Sequence, residues 1–225
     1  MALATYKDLC IDVSDARVSG AYWATMLGWA LEMHADGDAH LRDDDGSIQV
    51  WLNVVPEPKS VKNRVHLDVN AESLDRALEA GATLIETFPR WTQLADPDGQ
   101  EHCVFVRDRV EGRAYELGWD CAEGAEHETA VWWSEVLGGT VGDNPEHGFS
   151  WVEGMPGCVW ESIDFAGVPE PKTVKNRVHI DVDTDDLDAL VAHGATVLRA
   201  KGDGGLRWTV LADPAGNEFC AFTSD

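Results

Sequence analysis

The stretch VPEPKSVKNRVHLDV, residues Val55–Val69, occurs a second time in the chain as VPEPKTVKNRVHIDV, residues Val168–Val182. Thirteen of the fifteen positions are identical, and the copies begin 113 residues apart in a chain of 225. This spacing is far longer than the roughly 20–50 residues of solenoid repeats. The repeat therefore predicts two homologous halves, with domains at residues 1–110 and 111–225.

Inside the repeated stretch, two prolines are followed by an alternation of polar and apolar residues. Pro56 and Pro58 fix the backbone and remove donors, so they exclude a helix at that point. The alternation that follows has a period of two and predicts a strand with one apolar face. The other face carries Lys62, Arg64, His66 and Asp68, which the second copy repeats as Lys175, Arg177, His179 and Asp181.

The repeat also concentrates positive charge in an acidic chain. Of only 17 Lys and Arg residues, the two copies supply six, namely Lys59, Lys62, Arg64, Lys172, Lys175 and Arg177. Two interpretations are open at this point. The cations line a cavity that binds an anionic or polar ligand, or they form ion pairs with neighbouring acids on a solvated face.

Composition excludes several classes of function. A formal net charge of −24 and a pI near 4.4 argue against nucleic acid and anionic membranes as partners. The N-terminal sequence MALATYKDLC lacks the pattern of a secretion signal, so we expect a cytoplasmic protein. The five cysteines are odd in number and lack CxxC spacing, which predicts buried thiols rather than disulfides or a zinc knuckle.

Strand and helix signals follow the order βαβββ, twice in each half. Helices are predicted at Ala16–Leu27, Asn70–Ala80, Thr129–Leu137 and Thr184–His193, each closed by a glycine. Short strands surround them, separated by turns rich in Asp and Gly, which lack the spacing of a calcium loop. We therefore expect an α+β fold of four βαβββ modules in two domains.

Three motifs carry a resemblance to a known family. They are the repeated stretch, the turns DPDGQEHC (96–103) and DPAGNEFC (213–220), and the helix end YWATMLGW (22–29). Together they resemble the vicinal oxygen chelate superfamily, and within it the glyoxalase-like, bleomycin-resistance-related proteins. The resemblance covers nearly the whole chain. It implies fold rather than chemistry, because the superfamily includes metal-dependent isomerases, dioxygenases and epimerases as well as metal-free antibiotic-sequestering proteins.

The resemblance also implies a set of site residues. Family sites use up to four ligands, typically His or Glu, one from each inner strand. By position these fall on Asp8, His66 and Cys103 in the first half and on Glu116, His179 and Cys220 in the second. Cysteine stands where Glu is usual, which favours softer ions.

The fourth ligand position is not shared by the two halves. By offset, Trp51 matches Asp164 and Asn53 matches Ala166, and Glu161 fits only with a shift of register. If one divalent ion of Ni, Zn, Mn or Fe is bound, we expect it in the second half, because Asp164 could complete that set. The alternative is a metal-free polar cavity with His66 or His179 as its catalytic or anchoring group.

Tryptophan is abundant, with ten residues in the chain. Trp23, Trp132 and Trp133 lie on predicted helices and are expected in the core. The predicted strands carry Trp51, Trp91, Trp151, Trp160 and Trp208. The residues expected to contact a ligand are Trp51, Asn53, Arg64, Trp91, Trp160, Arg177 and Trp208, although plain sheet core is an equal alternative for the aromatics.

Two functions therefore remain open. The first is a glyoxalase-like protein that binds a small, partly aromatic or polar molecule, as a resistance or carrier protein or as a metal-independent catalyst. The second is a divalent-metal-dependent lyase, isomerase or dioxygenase of the vicinal oxygen chelate type. One half could also be degenerate and serve the fold alone. Because the duplication supplies a partner surface internally, we expect a monomer, with a homodimer as the alternative.

Overall fold

The computed structural model describes residues 2–224 and contains four βαβββ modules. Module 1 contains β1, α1, β2, β3 and β4, at Thr5–Val13, Ala16–Leu27, Ala30–Met33, Ala39–Arg42 and Ile48–Val54. Module 2 contains β5, α2, β6, β7 and β8, at Val65–Ala71, Asp75–Glu79, Thr83–Thr87, Thr92–Ala95 and Glu101–Val106. Module 3 contains β9, α3, β10, β11 and β12, at Ala114–Ala122, Glu126–Leu137, Thr140–Asn144, Phe149–Glu153 and Ser162–Val168. Module 4 contains β13, α4, β14, β15 and β16, at Val178–Thr184, Leu187–Ala192, Thr196–Arg199, Thr209–Ala212 and Glu218–Thr223, with a 3₁₀ turn at Asp203–Gly205.

The predicted α+β fold of four modules is confirmed, and the bounds of three helices are corrected. The helix expected at Thr129–Leu137 begins three residues earlier, at Glu126. The helix expected at Asn70–Ala80 covers only Asp75–Glu79, because β5 continues to Ala71, paired with β8. The helix expected at Thr184–His193 begins at Leu187, where the Asp186 side chain accepts a hydrogen bond from the Ala189 amide. Among residues 2–224 we find no helix with the length and apolar character that a membrane span requires.

The modules combine into two eight-stranded sheets, and each sheet draws one module from each half. Sheet I has the order β14-β15-β16-β13-β1-β4-β3-β2 and joins modules 4 and 1. Sheet II has the order β10-β11-β12-β9-β5-β8-β7-β6 and joins modules 3 and 2. The junction strands pair antiparallel, β1 with β13 and β5 with β9. Any site on the centre of a sheet is therefore built from both halves of the chain.

The first Asp of each DPxG turn binds tryptophans of the preceding module. Asp96 accepts a hydrogen bond of 3.0 Å from the indole of Trp23 on α1. Asp213 accepts two, each of 3.0 Å, from the indoles of Trp119 and Trp133. All three tryptophans are buried, at 1% exposure or less. These contacts explain the role of the turn motif in the fold, and they confirm Trp23 and Trp133 as core residues.

The two repeated stretches hold each other across the middle of the molecule. Arg64 donates from Nη1 to the backbone oxygen of Glu170 at 2.9 Å, and Arg177 donates from Nη1 to that of Glu57 at 2.8 Å. Each arginine of one copy thus binds the loop of the other copy. The two stretches enclose a cavity of about 440 Å³ between them. This reciprocal contact gives a physical reason for the near identity of the two copies.

The lysines of the repeated stretch form ion pairs with buried or half-buried acids. Lys62 contacts Asp120 at 2.6 Å, and its counterpart Lys175 contacts Asp12. The other two pairs are Lys59 with Glu101 and Lys172 with Glu218, at 2.8 and 2.7 Å. The structure therefore shows features of both interpretations: the four lysines form ion pairs, and five of the six cations, namely Lys62, Arg64, Lys172, Lys175 and Arg177, also line the cavity between the two copies. Binding of a ligand in that cavity stays a prediction.

A buried histidine makes the fold sensitive to acid. His102 is fully buried, and the Tyr22 hydroxyl lies 2.6 Å from its Nε2. Burial lowers the pKa of His102 to about 3, well below its ordinary value of 6.5. The folded chain thus keeps this ring neutral while the unfolded chain takes up a proton below pH 6.5, so folding stability falls as the pH falls from 6.5 towards 3.

We expect the free energy of unfolding of the wild-type chain to fall by roughly 3 kcal/mol when the pH falls from 7.5 to 4, because of His102 alone. In His102→Gln this component is absent, because glutamine does not titrate. Urea unfolding of both proteins across this pH range measures the difference. Parallel pH profiles for the two proteins would show that His102 is not the acid-sensitive group.

Candidate functional site

The centre of sheet II brings together two adjacent rows of residues from four strands, and most of these residues are titratable. In the order β12-β9-β5-β8, the register aligns Asp164, Gly118 and His66 in one row. The adjacent row contains Ser162, Glu116, Asp68 and Cys103. Residues two apart on a strand share a face, so both rows lie on the same side of the sheet. Two carboxylates of module 3 thus lie beside a histidine, a carboxylate and a thiol of module 2.

Sheet I repeats this arrangement with different residues. Its rows contain Trp51, Cys10 and His179, and next to them Asp8, Asp181 and Cys220. Trp51 thus takes the position of Asp164, as the sequence offset predicted, and Cys10 takes the position of Gly118. The two sheet centres differ most at these two positions.

The predicted grouping of ligands by halves is wrong. Asp8 lies in sheet I, whereas His66 and Cys103 lie in sheet II, because β1 pairs with β13 and not with β5. For the same reason Glu116 lies in sheet II. The structure therefore exchanges the acids between the predicted sets: Glu116 lies with His66 and Cys103, and Asp8 lies with His179 and Cys220.

The acids of sheet II perturb one another strongly. Burial, followed by the charge of Asp164, raises the pKa of Glu116 to about 8. Burial likewise raises the pKa of Asp164 to about 6, and the charge of Asp68 adds to the effect. Several acids of shifted pKa on one face of a sheet are typical of a site that binds a cation or moves a proton.

His66 is held between an acid and a thiol. Its Nε2 lies 3.3 Å from Oδ1 of Asp68, an ion-pair distance at which the geometry does not form a hydrogen bond. Burial alone would lower the pKa of His66, but Asp68 and then Cys103 outweigh it, and the pKa lies well above its ordinary value. Donor atoms of His66, Asp68 and Cys103 all lie within 4.8 Å of one another.

Gly118 makes room for the imidazole of His66. A Cβ placed on Gly118 would lie 2.2 Å from Cε1 of His66, far inside van der Waals contact. The glycine is required here by this close approach and not by an unusual backbone angle. Sequence reasoning missed Gly118, although the counterpart Cys10 shows that the position accepts a side chain on the other sheet.

We expect Gly118→Ala to displace His66 and thereby to weaken, by at least about tenfold, any divalent-metal binding that uses this imidazole, since positioning losses typically cost 10–100-fold. Isothermal titration with Mn²⁺ measures this. Gly112→Ala is the matched control, because a Cβ there meets no atom within 4 Å. Equal affinities for Gly118→Ala and the control would show that His66 does not take part in binding.

At the centre of sheet I, the Asp8 carboxylate is already bound by neighbouring side chains. Trp51 donates from its indole to Oδ2 of Asp8 at 3.2 Å, and Lys7 forms an ion pair with the same carboxylate. Burial, together with the charge of Lys175, lowers the pKa of His179 to about 4, so this imidazole is neutral at pH 7. The two histidines of the repeated stretch thus have opposite protonation tendencies despite their identical sequence context.

Aromatic side chains flank both sites. In sheet II, Trp91 stacks on Phe105 with ring centres 5.9 Å apart, and Phe105 contacts Tyr115 at 5.0 Å. In sheet I, Trp208 stacks on Phe222 at 5.4 Å. Both phenylalanines lie two residues after the site cysteine, on its face of the strand. Trp91 and Trp208 are half-buried, which places them as the rims of the two sites.

The other residues predicted to contact a ligand lie elsewhere. Trp160 is buried and donates to the hydroxyl of Tyr6 at 2.9 Å, so it belongs to the core. Arg64 and Arg177 line the cavity between the repeated stretches, which neither His66 nor His179 lines. The prediction for Trp160 is corrected by these contacts, whereas the prediction that Arg64 and Arg177 contact a ligand stays a prediction, because both line a cavity of their own.

Four further positions complete the account of the two sheet centres. Asn53 is half-buried on β4, two residues beyond Trp51 and opposite Asp12 in the register. Glu161 is exposed and precedes β12, so it does not join the rows. Sequence reasoning left out Asp68 and its counterpart Asp181 as site residues, although their spacing of two from the histidines was the available signal.

Comparison with known proteins agrees with this fold. The family model described as a glyoxalase-like domain matches residues 8–105 and again residues 117–222. The chain belongs to this family. It is a tandem glyoxalase-like protein of the vicinal oxygen chelate superfamily, as the sequence motifs predicted.

Solved structures resemble the chain at low sequence identity. Glyoxalase I from Zea mays is 13% identical to this chain and superimposes with a TM-score of 0.70. The alignment covers 98% of this chain and 92% of the maize protein. A putative dioxygenase from Bacillus subtilis is also 13% identical, with a TM-score of 0.60. That alignment covers 99% of this chain and 86% of the Bacillus protein. The search of curated proteins found no match. At such identities the likeness shows the fold of this glyoxalase-like chain and not its reaction.

Proposed function

We propose that sheet II is the working site of a divalent-metal-dependent enzyme that acts on a small molecule with two adjacent oxygen atoms. The observation that carries the proposal is the placement of Glu116, Asp164 and His66 around Gly118 on neighbouring strands. Three neighbouring strands from both halves thus place two acids and an imidazole in adjacent rows on one face of sheet II. Sheet I lacks this set because Trp51 replaces the acid.

The residues of sheet II fit a divalent ion. Glu116, Asp164 and Asp68 are mutually repulsive, and Oδ1 of Asp68 is buried without a hydrogen-bond donor. A cation would relieve this repulsion. Carboxylate oxygens with one imidazole suit Mn, Fe(II), Ni or Zn, and Glu116, Asp164 and His66 are the residues that would hold the ion. When bound, such an ion supplies Lewis-acid polarisation of a substrate oxygen.

Glu116 is the residue best suited to move a proton. A catalytic acid or base is most effective when its pKa lies near the working pH, and the Glu116 carboxyl has a pKa of about 8. Burial and the neighbouring Asp164 both hold it there. We infer that Glu116 can donate a proton in the metal-free site, where a pKa of about 8 keeps its carboxyl mostly protonated at pH 7, and that it is a carboxylate ligand when the ion is bound.

A second function is favoured by the aromatic rim. Trp91 lies stacked between Phe88 and Phe105, with ring centres 5.0 and 5.9 Å away, and it is half-buried. Such a surface binds flat organic molecules without a metal. A metal-free carrier or resistance protein therefore remains the alternative proposal, with His66 as its polar anchor.

One titration series distinguishes the two functions. Protein purified without chelator or His tag is loaded with Mn²⁺, Ni²⁺, Zn²⁺ or Fe(II), and acetohydroxamate, which presents two adjacent oxygens, is added while tryptophan fluorescence is followed. We expect acetohydroxamate binding with metal and none after metal removal. Failure of all four metals to bind would overturn the enzyme proposal, and binding of flat aromatic compounds by the metal-free protein would then support the alternative.

The expected partners follow from the same site. We propose a small-molecule ligand as the principal partner, with no nucleic acid and no membrane, in keeping with the net charge of −24. Both sheets are completed within one chain, which supports a monomer over a homodimer. Sedimentation velocity of the full chain tests this proposal.

A further inference from the structure

The cavity between the two repeated stretches is a feature that the proposed enzyme does not use. It has a volume of about 440 Å³, and both halves of the chain contribute to its walls. None of the residues in the two rows of sheet II lines it. Its volume lies within the roughly 300–1,000 Å³ that is usual for small-molecule pockets. The charges in its walls therefore decide which class of ligand it could bind.

Four of the five cations in the cavity walls already have a carboxylate partner. The pairs are Lys62 with Asp120, Lys172 with Glu218, Lys175 with Asp12 and Arg177 with Asp98. Among residues 2–224, Arg64 is the one cation of the five that forms no ion pair. Its guanidinium donates to two backbone oxygens, those of Glu170 at 2.9 Å and Asp120 at 3.3 Å, and a guanidinium carries five donors. Arg64 thus brings a positive charge without a counter-ion to the cavity wall.

The surroundings of Arg177 show which group neutralises the equivalent arginine. Nη2 of Arg177 lies 3.3 Å from Oδ2 of Asp98, the third residue of the turn DPDG. The third residue of the equivalent turn, DPAG, is Ala215. Alanine carries no charge, so the chain provides a carboxylate for Arg177 and none for Arg64.

The backbone confirms that the two surroundings are equivalent. The amide of Asp12 donates to the backbone oxygen of Arg177, and the amide of Asp120 donates to that of Arg64, both at 2.7 Å. Two residues after each aspartate, the chain has Ser14 on the Arg177 side and Ala122 on the Arg64 side. The amide of Ser14 binds the Asp98 carboxylate at 3.1 Å. Both groups of the Asp98–Ser14 contact are therefore replaced by alanine near Arg64.

The rest of the cavity wall favours a ligand with a single negative charge and a short apolar part. Val61 and Val174 line the cavity and are 45% and 42% exposed, so contact with an apolar group would remove apolar surface from water. Two exposed acids, Glu57 and Glu170, also line it. Their charges disfavour a ligand that carries more than one negative charge.

We propose that the cavity is a second binding site, for a small monocarboxylate whose carboxylate pairs with Arg64 as Asp98 pairs with Arg177. Arginine and carboxylate fit each other through two parallel hydrogen bonds, which favours this anion. The apolar part of the ligand would contact Val61 and Val174. Because both copies of the repeated stretch form the cavity, the ligand would also join the two halves of the chain. The proposal does not depend on the enzymatic function of sheet II.

Binding of 4-fluorobenzoate to the metal-free full chain, followed by the fluorine NMR line width, tests the proposal. We expect saturable binding of one probe per chain and none of 4-fluorobenzamide, which has nearly the same shape and no charge. Arg64→Gln should weaken binding of 4-fluorobenzoate by at least about tenfold, as expected for the loss of hydrogen bonds to a charged group. Saturating probe should raise the Tm of wild type and not that of Arg64→Gln.

Two exchanges between the turns make the test sharper. Ala215→Asp keeps Arg64 and gives it a carboxylate at the position equivalent to Asp98, so we expect it to prevent binding of the probe. Asp98→Ala removes the partner of Arg177 and should raise the number of probes bound per chain from one to two. Circular dichroism establishes that each variant is folded, and Ala215→Asp provides the test if Arg64→Gln is not.

Trp91→Ala is the matched control, because the aromatic rim of sheet II is the other place where a flat probe could bind. We expect this variant to bind 4-fluorobenzoate as wild type does. Absence of saturable binding in wild type, or equal affinity of wild type and Arg64→Gln, would overturn the proposal. Loss of binding in Trp91→Ala with retention in Arg64→Gln would also overturn it. Mn²⁺ binding to sheet II, followed separately with Glu116→Gln, reports on the enzyme proposal alone.

Discussion

His66→Ala is expected to weaken Mn²⁺ binding to the full chain by at least about 100-fold, whereas His179→Ala changes it by less than about threefold. Both histidines lie in nearly the same repeated sequence, and from the sequence we expected the metal in the second half, with His179; the structure reverses that expectation, because it places Asp164 in one row with His66. Their neighbours differ: His66 lies in sheet II with Glu116 and Asp164, and His179 lies in sheet I with Trp51. A hard ion such as Mn²⁺ prefers the oxygen-rich set.

Isothermal titration of both variants measures the difference, with circular dichroism to establish that each is folded. Glu116→Gln and Asp164→Asn extend the test, because each removes a charge and keeps the shape of the side chain. We expect each to weaken Mn²⁺ binding as well. Equal losses in His66→Ala and His179→Ala would contradict the assignment of the working site to sheet II.

Trp133→Ala is expected to lower the free energy of unfolding by about 3–5 kcal/mol, which is a large part of the stability of an ordinary domain. Trp133 is fully buried and contacts Trp119, Trp132 and Phe219. Truncation leaves a cavity in this cluster. It also removes one of the two indole donors to Asp213, a buried carboxylate that anchors the DPxG turn.

Trp133→Phe separates these two contributions, since it fills most of the volume and lacks the indole donor. We expect it to cost about 1–3 kcal/mol, the range for a buried acceptor that loses a partner. Urea unfolding followed by circular dichroism measures both variants. A loss below about 1 kcal/mol for Trp133→Ala would show that the cluster does not support the fold as described.

The modules themselves could be predicted from the sequence because their signals are local. Ala16–Leu27 was predicted with its observed bounds, since Asp15 caps the helix and Gly28 ends it in the left-handed conformation, at φ 77°. The helix at Asp75–Glu79 was overpredicted, because apolar spacing alone does not show that the preceding strand is held to Ala71 by its neighbour β8. Tertiary pairing decided that boundary.

The pairing of modules could not be predicted from local sequence. The strands β5 and β13 carry the nearly identical segments VHLDV and VHIDV. These segments alone therefore do not predict which of the two strands pairs with β1. The choice rests on contacts between distant segments, and it decides which acid meets which histidine. For that reason Glu116, His66, Asp8 and His179 lie on inner strands as predicted, while their grouping by halves was wrong; their roles stay predictions.

The equivalent strands β4 and β12 show what the sequence predicted correctly and what it could not predict. The sequence offset that matched Trp51 to Asp164 was right, because equivalent strands of the two sheets keep the same register. Trp51 pairs with Cys10 in sheet I, and Asp164 pairs with the equivalent residue Gly118 in sheet II. What the offset could not give is the protonation of the site. The raised pKa values of Glu116 and Asp164 arise from burial and mutual repulsion, which exist only in the assembled sheet.

The central claim is that the working site is assembled across the two halves, on sheet II. Anomalous scattering from crystals of the full chain grown with Mn²⁺ tests it most directly. We predict a peak in contact with the imidazole of His66 and the carboxylates of Glu116 and Asp164. A peak confined to sheet I beside Asp8 and His179, with none on sheet II, would contradict the account.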